Sequence, residues 1–250
     1  MKTSRDIVYG RNPVSELLKT RPDRVQKIYI QKGVRLDPAL WELIQELKVP
    51  VSQVSKDRLS RMSGSLHHQG VVARILPVET VFYRELIERT VSAGGIVTVV
   101  DHVEDPGNLG NIIRTSEVLG AKGVVIPGRR GAPLSEAVVK ASSGAIFHIS
   151  ISVVTNIRNF LREFKKAGGF VVAIEVGGES IFDFEFPFPL ALVIGGEDRG
   201  VSRLVLDESD FIVSIPMEGK TGSLNASSAF AISLAFAIRS KRLPKANKTG

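Results

Sequence analysis

The chain has 250 residues, no cysteine, and 43% hydrophobic against 24% charged residues, which excludes a disordered or disulfide-stapled protein and leaves room for one large domain or two modest ones. Its 33 Lys/Arg and 26 Asp/Glu give a net charge of +7, and residues 1–77 hold 14 of the basic and 7 of the acidic side chains, so that 19 of each cancel in residues 78–250. A basic first third on a neutral remainder suggests capture of a polyanion by the first part and a different task for the second, although a merely solvated basic surface would give the same count.

Residues 1–10 are polar and charged and carry no secretory signal. Asn12-Pro13 reads as a cap and first-turn pair opening a helix with Val14, Leu17 and Leu18 on one face. Residues 25–30 form a strand candidate. Asp37-Pro38 repeats the start signal before Leu40, Leu43, Ile44 and Leu47, which have helical spacing. Residues 71–76 close this small α/β/α layer with a strand ended by Pro77. Residues 78–92 read as a connector, partly helical through Phe82, Leu86 and Ile87.

From residue 93 onward strands and helices alternate. Residues 96–100 are a continuous apolar run, as expected of a strand buried on both faces, and residues 124–126, 170–174, 190–194 and 211–215 are further strand candidates. Ile157, Phe160, Leu161 and Phe164 mark an amphipathic helix ended by Gly168. Phe182, Phe184, Phe186 and Phe188 alternate with Pro187 and Pro189 nearby; a base-stacking platform is one reading, an extended segment anchored in the core the favoured one. Residues 224–238 are apolar but shorter than the roughly 20 residues of a membrane helix. They are expected as a helix buried on every side. The implied architecture is a mostly parallel sheet covered on both faces, with ligands at the carboxyl ends of strands.

Three loops at such ends carry chemistry-bearing residues. Asp105 to Arg114 opens a helix in which Leu109, Ile112 and Ile113 face inward while Asn111 and Arg114 share another face. Asn108 sits at its mouth, placed for capping or for ligand contact, and Arg114 beside a helix start suits phosphate. Gly195-Gly196-Glu197-Asp198-Arg199-Gly200 follows an apolar strand. It is not the dinucleotide fingerprint, because Glu197 stands at the middle glycine, and a carboxylate there favours a cationic or hydroxyl-rich ligand. The third loop runs from Ile215 through Met217 to Ser223-Leu224-Asn225. Its Gly219-Lys220-Thr221 imitates a phosphate-binding P-loop, but Ser214 stands where the first glycine belongs.

Taken together, Asn108-Leu109-Gly110-Asn111-Ile112-Ile113-Arg114, Gly195 to Gly200, and Ile215-Pro216-Met217 through Ser223-Leu224-Asn225-Ala226-Ser227 resemble, in order and spacing, the three motifs of the SpoU/TrmH family of the SPOUT superfamily. Tyr9 to Val14 and His68-Gln69-Gly70-Val71 resemble the substrate-binding extension of RlmB-type enzymes, which methylate a guanosine in 23S rRNA. The resemblance implies an L30e/L7Ae-like RNA-binding domain over residues 1–77, a linker over 78–92, and a mostly parallel SPOUT methyltransferase domain over 93–250 with a C-terminal trefoil knot, an exception to the usual absence of knots. It also implies a homodimer in the cytoplasm and S-adenosylmethionine held by Gly195, Gly196, Ile215, Met217 and Leu224. The catalytic set would be Arg114, Glu197, Ser223, Asn225 and Asn108.

A guanidinium hardly ever gives up its proton, so Arg114 is expected to bind phosphate or developing alkoxide charge, with the proton passing to a phosphate oxygen or to Glu197. Ser223 and Asn225 would orient the ribose. The four histidines have no metal-ligand spacing, and no metal is expected; His102 reads as structural, and His67-His68 as lining an RNA-facing loop. Structured RNA is the expected substrate, with 23S rRNA favoured over tRNA. The rival readings are a non-catalytic RNA-binding protein and, with less support, a nucleotide hydrolase.

Overall fold

The computed structural model describes residues 7–76, 78–220 and 222–242. Pro77 and Thr221, which the sequence reading uses as a strand terminus and as part of the P-loop imitation, lie outside them. The first layer runs β1 (Ile7–Tyr9), α1 (Arg11–Thr20), β2 (Val25–Gln31), α2 (Pro38–Glu46), β3 (Val51–Val54), α3 (Lys56–Ser63) and β4 (Val71–Ile75). Its sheet has the order β1-β4-β2-β3, with only the β2–β3 pair parallel.

Helix α2 starts as its sequence dictates. Asp37 Oδ1 accepts from the backbone N–H groups of Ala39 at 2.9 Å and Leu40 at 3.4 Å, with Pro38 in the first turn. Helix α1 does not. It begins two residues earlier than a cap at Asn12 would allow, behind Gly10 at φ 92°, and Gln69 Oε1 takes the Arg11 N–H at 2.9 Å. The partner for the helix start thus comes from the far side of the chain, just before β4, where no local pattern could announce it.

The second layer runs α4 (Tyr83–Ser92), β5 (Ile96–Asp101), α5 (Pro106–Val118), β6 (Gly123–Pro127), α6 (Glu136–Ala141), β7 (Ser150–Val154), α7 (Ile157–Lys166), β8 (Phe170–Ser180), β9 (Leu190–Gly195), α8 (Arg203–Leu206), β10 (Phe211–Ser214) and α9 (Ala226–Arg242). Its six strands are all parallel, in the order β10-β8-β9-β5-β6-β7. Strands β5 and β9 are buried along their whole length, as their unbroken apolar runs require. Alternate residues of β5 serve the two faces. Val97 and Val99 pack with Leu86, Phe160 and Phe164 of α4 and α7. Ile96 and Val100 join Ile112 and Ile113 of α5 and Phe230 and Leu234 of α9.

That second core is continuous with the first layer, since it also takes in Val14, Leu17 and Ile28. Arg21 Nη1 donates to the Phe147 carbonyl at 2.6 Å across the same junction. From β5 the chain builds outward to β7, then returns to lay β8 and β9 on the other side. The reversal leaves a crevice at the carboxyl ends of β5 and β9, where ligands of such sheets bind.

One expectation changes and one holds in part. Helix α9 is not buried all round within one chain: Phe230, Ser233, Leu234 and Ala237 are inside, whereas Ser228 and Ala235 are exposed and Ala231 and Ile232 half-exposed. The favoured core reading of the Phe182–Phe188 stretch holds for Phe184 and Phe186, which anchor in the core, while Phe182 stays outside against Phe236, ring centroids 5.5 Å apart. Among the described residues no helix is long and apolar enough to cross a membrane.

Candidate active site

The loop after β9 is held from two sides by carboxylates of the strands that flank β9, Asp101 at the end of β5 and Glu175 midway along β8. Asp101, buried at the end of β5, accepts the Ser202 N–H at 2.8 Å through Oδ2 and contacts His102 Nδ1 at 2.7 Å through Oδ1. Glu175 accepts the Val201 N–H at 2.7 Å through Oε2. The glycines let the chain pass this close to itself. A Cβ on Gly195 would lie 2.0 Å from the carbonyl carbon of Gly200, and one on Gly196 would lie 2.4 Å from the His102 carbonyl oxygen. The close approach foreseen for this glycine cluster is therefore backbone to backbone.

Glu197, fixed by that loop, meets residues from both other motifs. Asn108 Nδ2 donates to Glu197 Oε1 at 2.9 Å, Asn225 Nδ2 donates to Asn108 Oδ1 at 2.9 Å, and Asn225 Nδ2 also donates to Glu197 Oε1. Both asparagines are held at their other ends. Asp105 caps α5 by accepting the Asn108 N–H at 2.7 Å, which frees the Asn108 side chain from capping. Asn225 Oδ1 accepts from Ser227 N–H at 3.0 Å and Ser227 Oγ–H at 2.7 Å, so Asn225 ends the loop and starts α9. Two amides thus orient one oxygen of Glu197, while Oε2 has no partner among the described residues. An aimed carboxylate with one open oxygen is equipped to accept a hydrogen bond or a proton from a hydroxyl.

Beside this network lies a cleft of about 540 Å³ lined by Gly195, Gly196, Glu197, Ile215, Met217, Ser223 and Leu224. All five residues expected to hold the cofactor are there. Met217 and Leu224 are 40% and 39% exposed, so large apolar side chains wait at an open surface for something to cover them. Apolar walls from Ile174, Ile194 and Ala229 with a carboxylate at the rim suit a ligand that joins a flat aromatic face to a positive charge, as S-adenosylmethionine does. The residues present fit that group. A smaller cleft of about 280 Å³ on the other side of Glu197 is lined by His102, Val103, Asp105, Asn108 and Arg199.

Arg114 is not brought to this network within the chain. It stands six residues beyond Asn108 on α5, roughly 9 Å farther along the helix axis, and is exposed. It lines a separate cleft of about 500 Å³ with Asn12, Glu16, Lys140 and His148. There its Nη1 donates to Ser143 Oγ at 3.2 Å. Ser143 has φ 50°, a left-handed conformation uncommon for a non-glycine residue. Helix α6, which ends two residues before Ser143, presses on α5 so closely that a Cβ on Gly110 would meet Ala141 Cβ at 2.4 Å.

His68 is a correction. It is buried rather than RNA-facing, its Nδ1 accepting the Gly70 N–H at 3.1 Å and its Nε2 lying 3.2 Å from Ser60 Oγ. Burial, reinforced by Lys56, holds its pKa below the ordinary 6.5. His67 is exposed. Among the described residues no group of three or more His, Asp or Glu side chains could hold a metal ion. The P-loop imitation lacks its helix, because α9 begins only at Ala226. Sequence reading missed Glu175, Ser143 and the clamp by Asp101, although an acidic residue closing an apolar run was visible in both strands.

The SpoU rRNA Methylase family matches residues 95–235, and the RNA 2'-O ribose methyltransferase substrate binding family matches residues 7–81. A Bacillus subtilis (strain 168) protein assigned to the TrmH family of tRNA/rRNA methyltransferases is 37% identical over 252 residues, covering 98% of this chain and 99% of the relative. The SpoU methyltransferase AviRb of Streptomyces viridochromogenes, solved in complex with AdoMet, is similar with a TM-score of 0.75 at 25% identity over 94% of this chain and 89% of its own. An AdoMet-bound rRNA methyltransferase of Sinorhizobium meliloti gives 0.73 at 26% identity over 96% of this chain and 88% of its own.

Proposed function

The chain belongs to the SpoU rRNA methylase family, and from that premise we propose that it methylates the ribose 2'-hydroxyl of a guanosine in 23S rRNA. That it is an RNA methyltransferase dependent on S-adenosylmethionine follows from the family and from the cofactor-bound structures it resembles. The position, the base and the RNA are our reading. The observation that carries it is the Asn108–Glu197–Asn225 network, which aims one carboxylate between the two clefts. Support for ribose comes from the 2'-O ribose methyltransferase substrate binding family matched by residues 7–81.

When bound in the larger cleft, the cofactor supplies a methyl group activated by its sulfonium charge. The chain's part is to make a weakly acidic hydroxyl nucleophilic and to aim it. Glu197 Oε2 accepts the hydroxyl proton. Asn108 and Asn225 hold that carboxylate, and Ser223 with Asn225 orients the ribose. Arg114 stays charged and takes the phosphate or the developing oxyanion.

Within one chain Arg114 opens on a different cleft from Glu197 and Ser223, and α9 leaves a face of Ser228, Ala231, Ile232 and Ala235 uncovered. Both features fit a homodimer in which Arg114 serves the partner's site. Residues 1–77 would form the RNA-binding domain, 78–92 the linker, and 93–250 a catalytic domain with its C-terminal part knotted. The setting would be the cytoplasm, where such RNAs reside. A tRNA substrate is the second reading, favoured by the tRNA/rRNA assignment of the B. subtilis relative.

Incubation with labelled S-adenosylmethionine and either 23S rRNA or total tRNA, followed by mapping of the label, tests the proposal. We expect 2'-O-methylguanosine in 23S rRNA. Label confined to tRNA would move the substrate, label on a base would overturn the chemistry, and no label on either RNA would favour a non-catalytic binder.

A further inference from the structure

The neutral charge of residues 78–250 hides an uneven pairing. On the α4/α7 face cations are matched: Arg84 with Glu163 at 2.7 Å, Arg158 and Arg162 with Glu208 at 2.9 and 2.7 Å, Lys165 with Asp210 at 2.7 Å. At the carboxyl end of β6, Arg129 and Arg130 stand exposed and adjacent. Neither makes a side-chain hydrogen bond or ion pair among the described residues.

The loop that carries them is nevertheless fixed. Gly128 N–H donates to the Val154 carbonyl and Ala132 N–H to the Val103 carbonyl, both at 2.8 Å, and Ala132 is 3% exposed. Between these anchors Arg130 adopts φ 60°, a conformation that persists in a non-glycine residue only where its surroundings over-determine it. The Val103 carbonyl ties this loop to the one leading to Asn108, and Val103 itself lines the cleft it shares with Asn108 and Glu197. The backbone that carries two unpaired guanidiniums is thus tied to the loop leading into the carboxylate network. The neighbouring carboxylates make no ion pair with them: Asp105 caps α5, Glu197 takes its two amides, and Glu104 and Asp198 stay open to solvent.

We propose that residues 128–134 form a phosphate-binding loop for the RNA substrate, in which Arg129 and Arg130 each take a backbone phosphate flanking the nucleotide to be methylated. The proposal rests on the RNA methyltransferase reading above and adds a second contact on the catalytic part, independent of the basic residues 1–77. Phosphate contacts fix register rather than read sequence, and a planar guanidinium grips a phosphate through two donors at once. A reaction that must place one hydroxyl against one methyl group needs such an anchor close to the reacting ribose.

The test uses the full chain and a 23S rRNA transcript, with a tRNA transcript as the second arm. For Arg129→Ala/Arg130→Ala the dependence of log K on log salt should flatten by about 1.4 to 1.8, the share of two phosphates at 0.7 to 0.9 each. Methyl transfer should fall with it, while S-adenosylmethionine affinity and Tm stay at the wild-type values. Arg129→Lys/Arg130→Lys keeps the charges and loses the fork, so its salt slope should stay wild-type while kcat/KM falls. If the alanine pair has the wild-type slope while the wild-type chain methylates the RNA, the loop is ordinary solvated surface and the proposal fails alone. If the wild-type chain methylates neither RNA, the reading beneath it fails.

Discussion

The α4/α7 face of the catalytic sheet and its carboxyl edge both carry charged side chains and use them differently. On the α4/α7 face each of four cations meets a carboxylate, and Glu163 and Glu208 are held below the ordinary carboxyl pKa of 4.5, Glu163 chiefly by Arg84 and Glu208 chiefly by Arg162. At the carboxyl end Arg129 and Arg130 meet none and Glu197 is satisfied by neutral amides, while Arg114, farther along α5, meets only a hydroxyl. Exposed ion pairs add little to stability and leave no charge to offer a ligand. A polar edge that forgoes such pairing keeps its guanidiniums and one carboxylate oxygen available. The difference locates function on one edge of a domain whose net charge is zero.

Substitutions in the two regions should therefore fail differently. Arg114→Ala should lower methyl transfer by about 10² to 10³, the scale of losing one donor to developing negative charge, while S-adenosylmethionine affinity measured by calorimetry stays close to wild type. Equal loss of both would place Arg114 in the cofactor site and break the assignment. Next in size is Gly195→Ala. Its Cβ would fall 2.0 Å from backbone at Gly200, so the loop must move, with about 1 to 3 kcal/mol lost in denaturant unfolding and cofactor binding weakened together with it. Ser143→Ala leaves the helix contacts in place and removes only the hydroxyl that holds Arg114. Its transfer rate should drop by up to about tenfold, with Tm and cofactor affinity unmoved.

The smallest effects belong to the paired face. Glu163→Gln/Glu208→Gln should leave methyl transfer untouched and lower Tm slightly at pH 7. The sign with pH follows from the depressed pKa values. Carboxylates held below 4.5 contribute stability that is complete above that pH and is lost as pH falls through their folded-state values. The Tm gap between wild type and variant should close in acid. A gap that widened there would contradict the pairing.

Elements whose cause is local were legible in the sequence. The apolar runs of β5 and β9, the Asp37-Pro38 start of α2 and the face of Ile157, Phe160, Leu161 and Phe164 on α7 needed only composition and period. Strands β1 and β3 did not stand out, because three and four residues are too short for a period-two pattern. The start of α1 was misplaced because its partner, Gln69, arrives from the loop before β4. At the site, strand ends pointed to the loops, the three motifs were visible in order, and the family resemblance named five residues that the fold brings to one cleft. What the sequence withheld was mutual arrangement: that Asp105 rather than Asn108 caps α5, that Arg114 faces a separate cleft, and that some arginines have carboxylates while others do not. The last two depend on elements that are neighbours in space and distant in the chain, whereas the Asp105 cap is local and repeats in Asp105-Pro106 the signal of Asp37-Pro38.

The proposed methyl acceptor is the ribose 2'-hydroxyl, oriented by Ser223 and Asn225 and deprotonated by Glu197. It is tested most directly with an RNA fragment in which the mapped guanosine carries hydrogen in place of its 2'-hydroxyl. The account predicts that this fragment competes for binding as well as the unmodified one and accepts no methyl group. Transfer to the deoxy nucleotide at the normal rate would place the methyl group on the base and contradict the account.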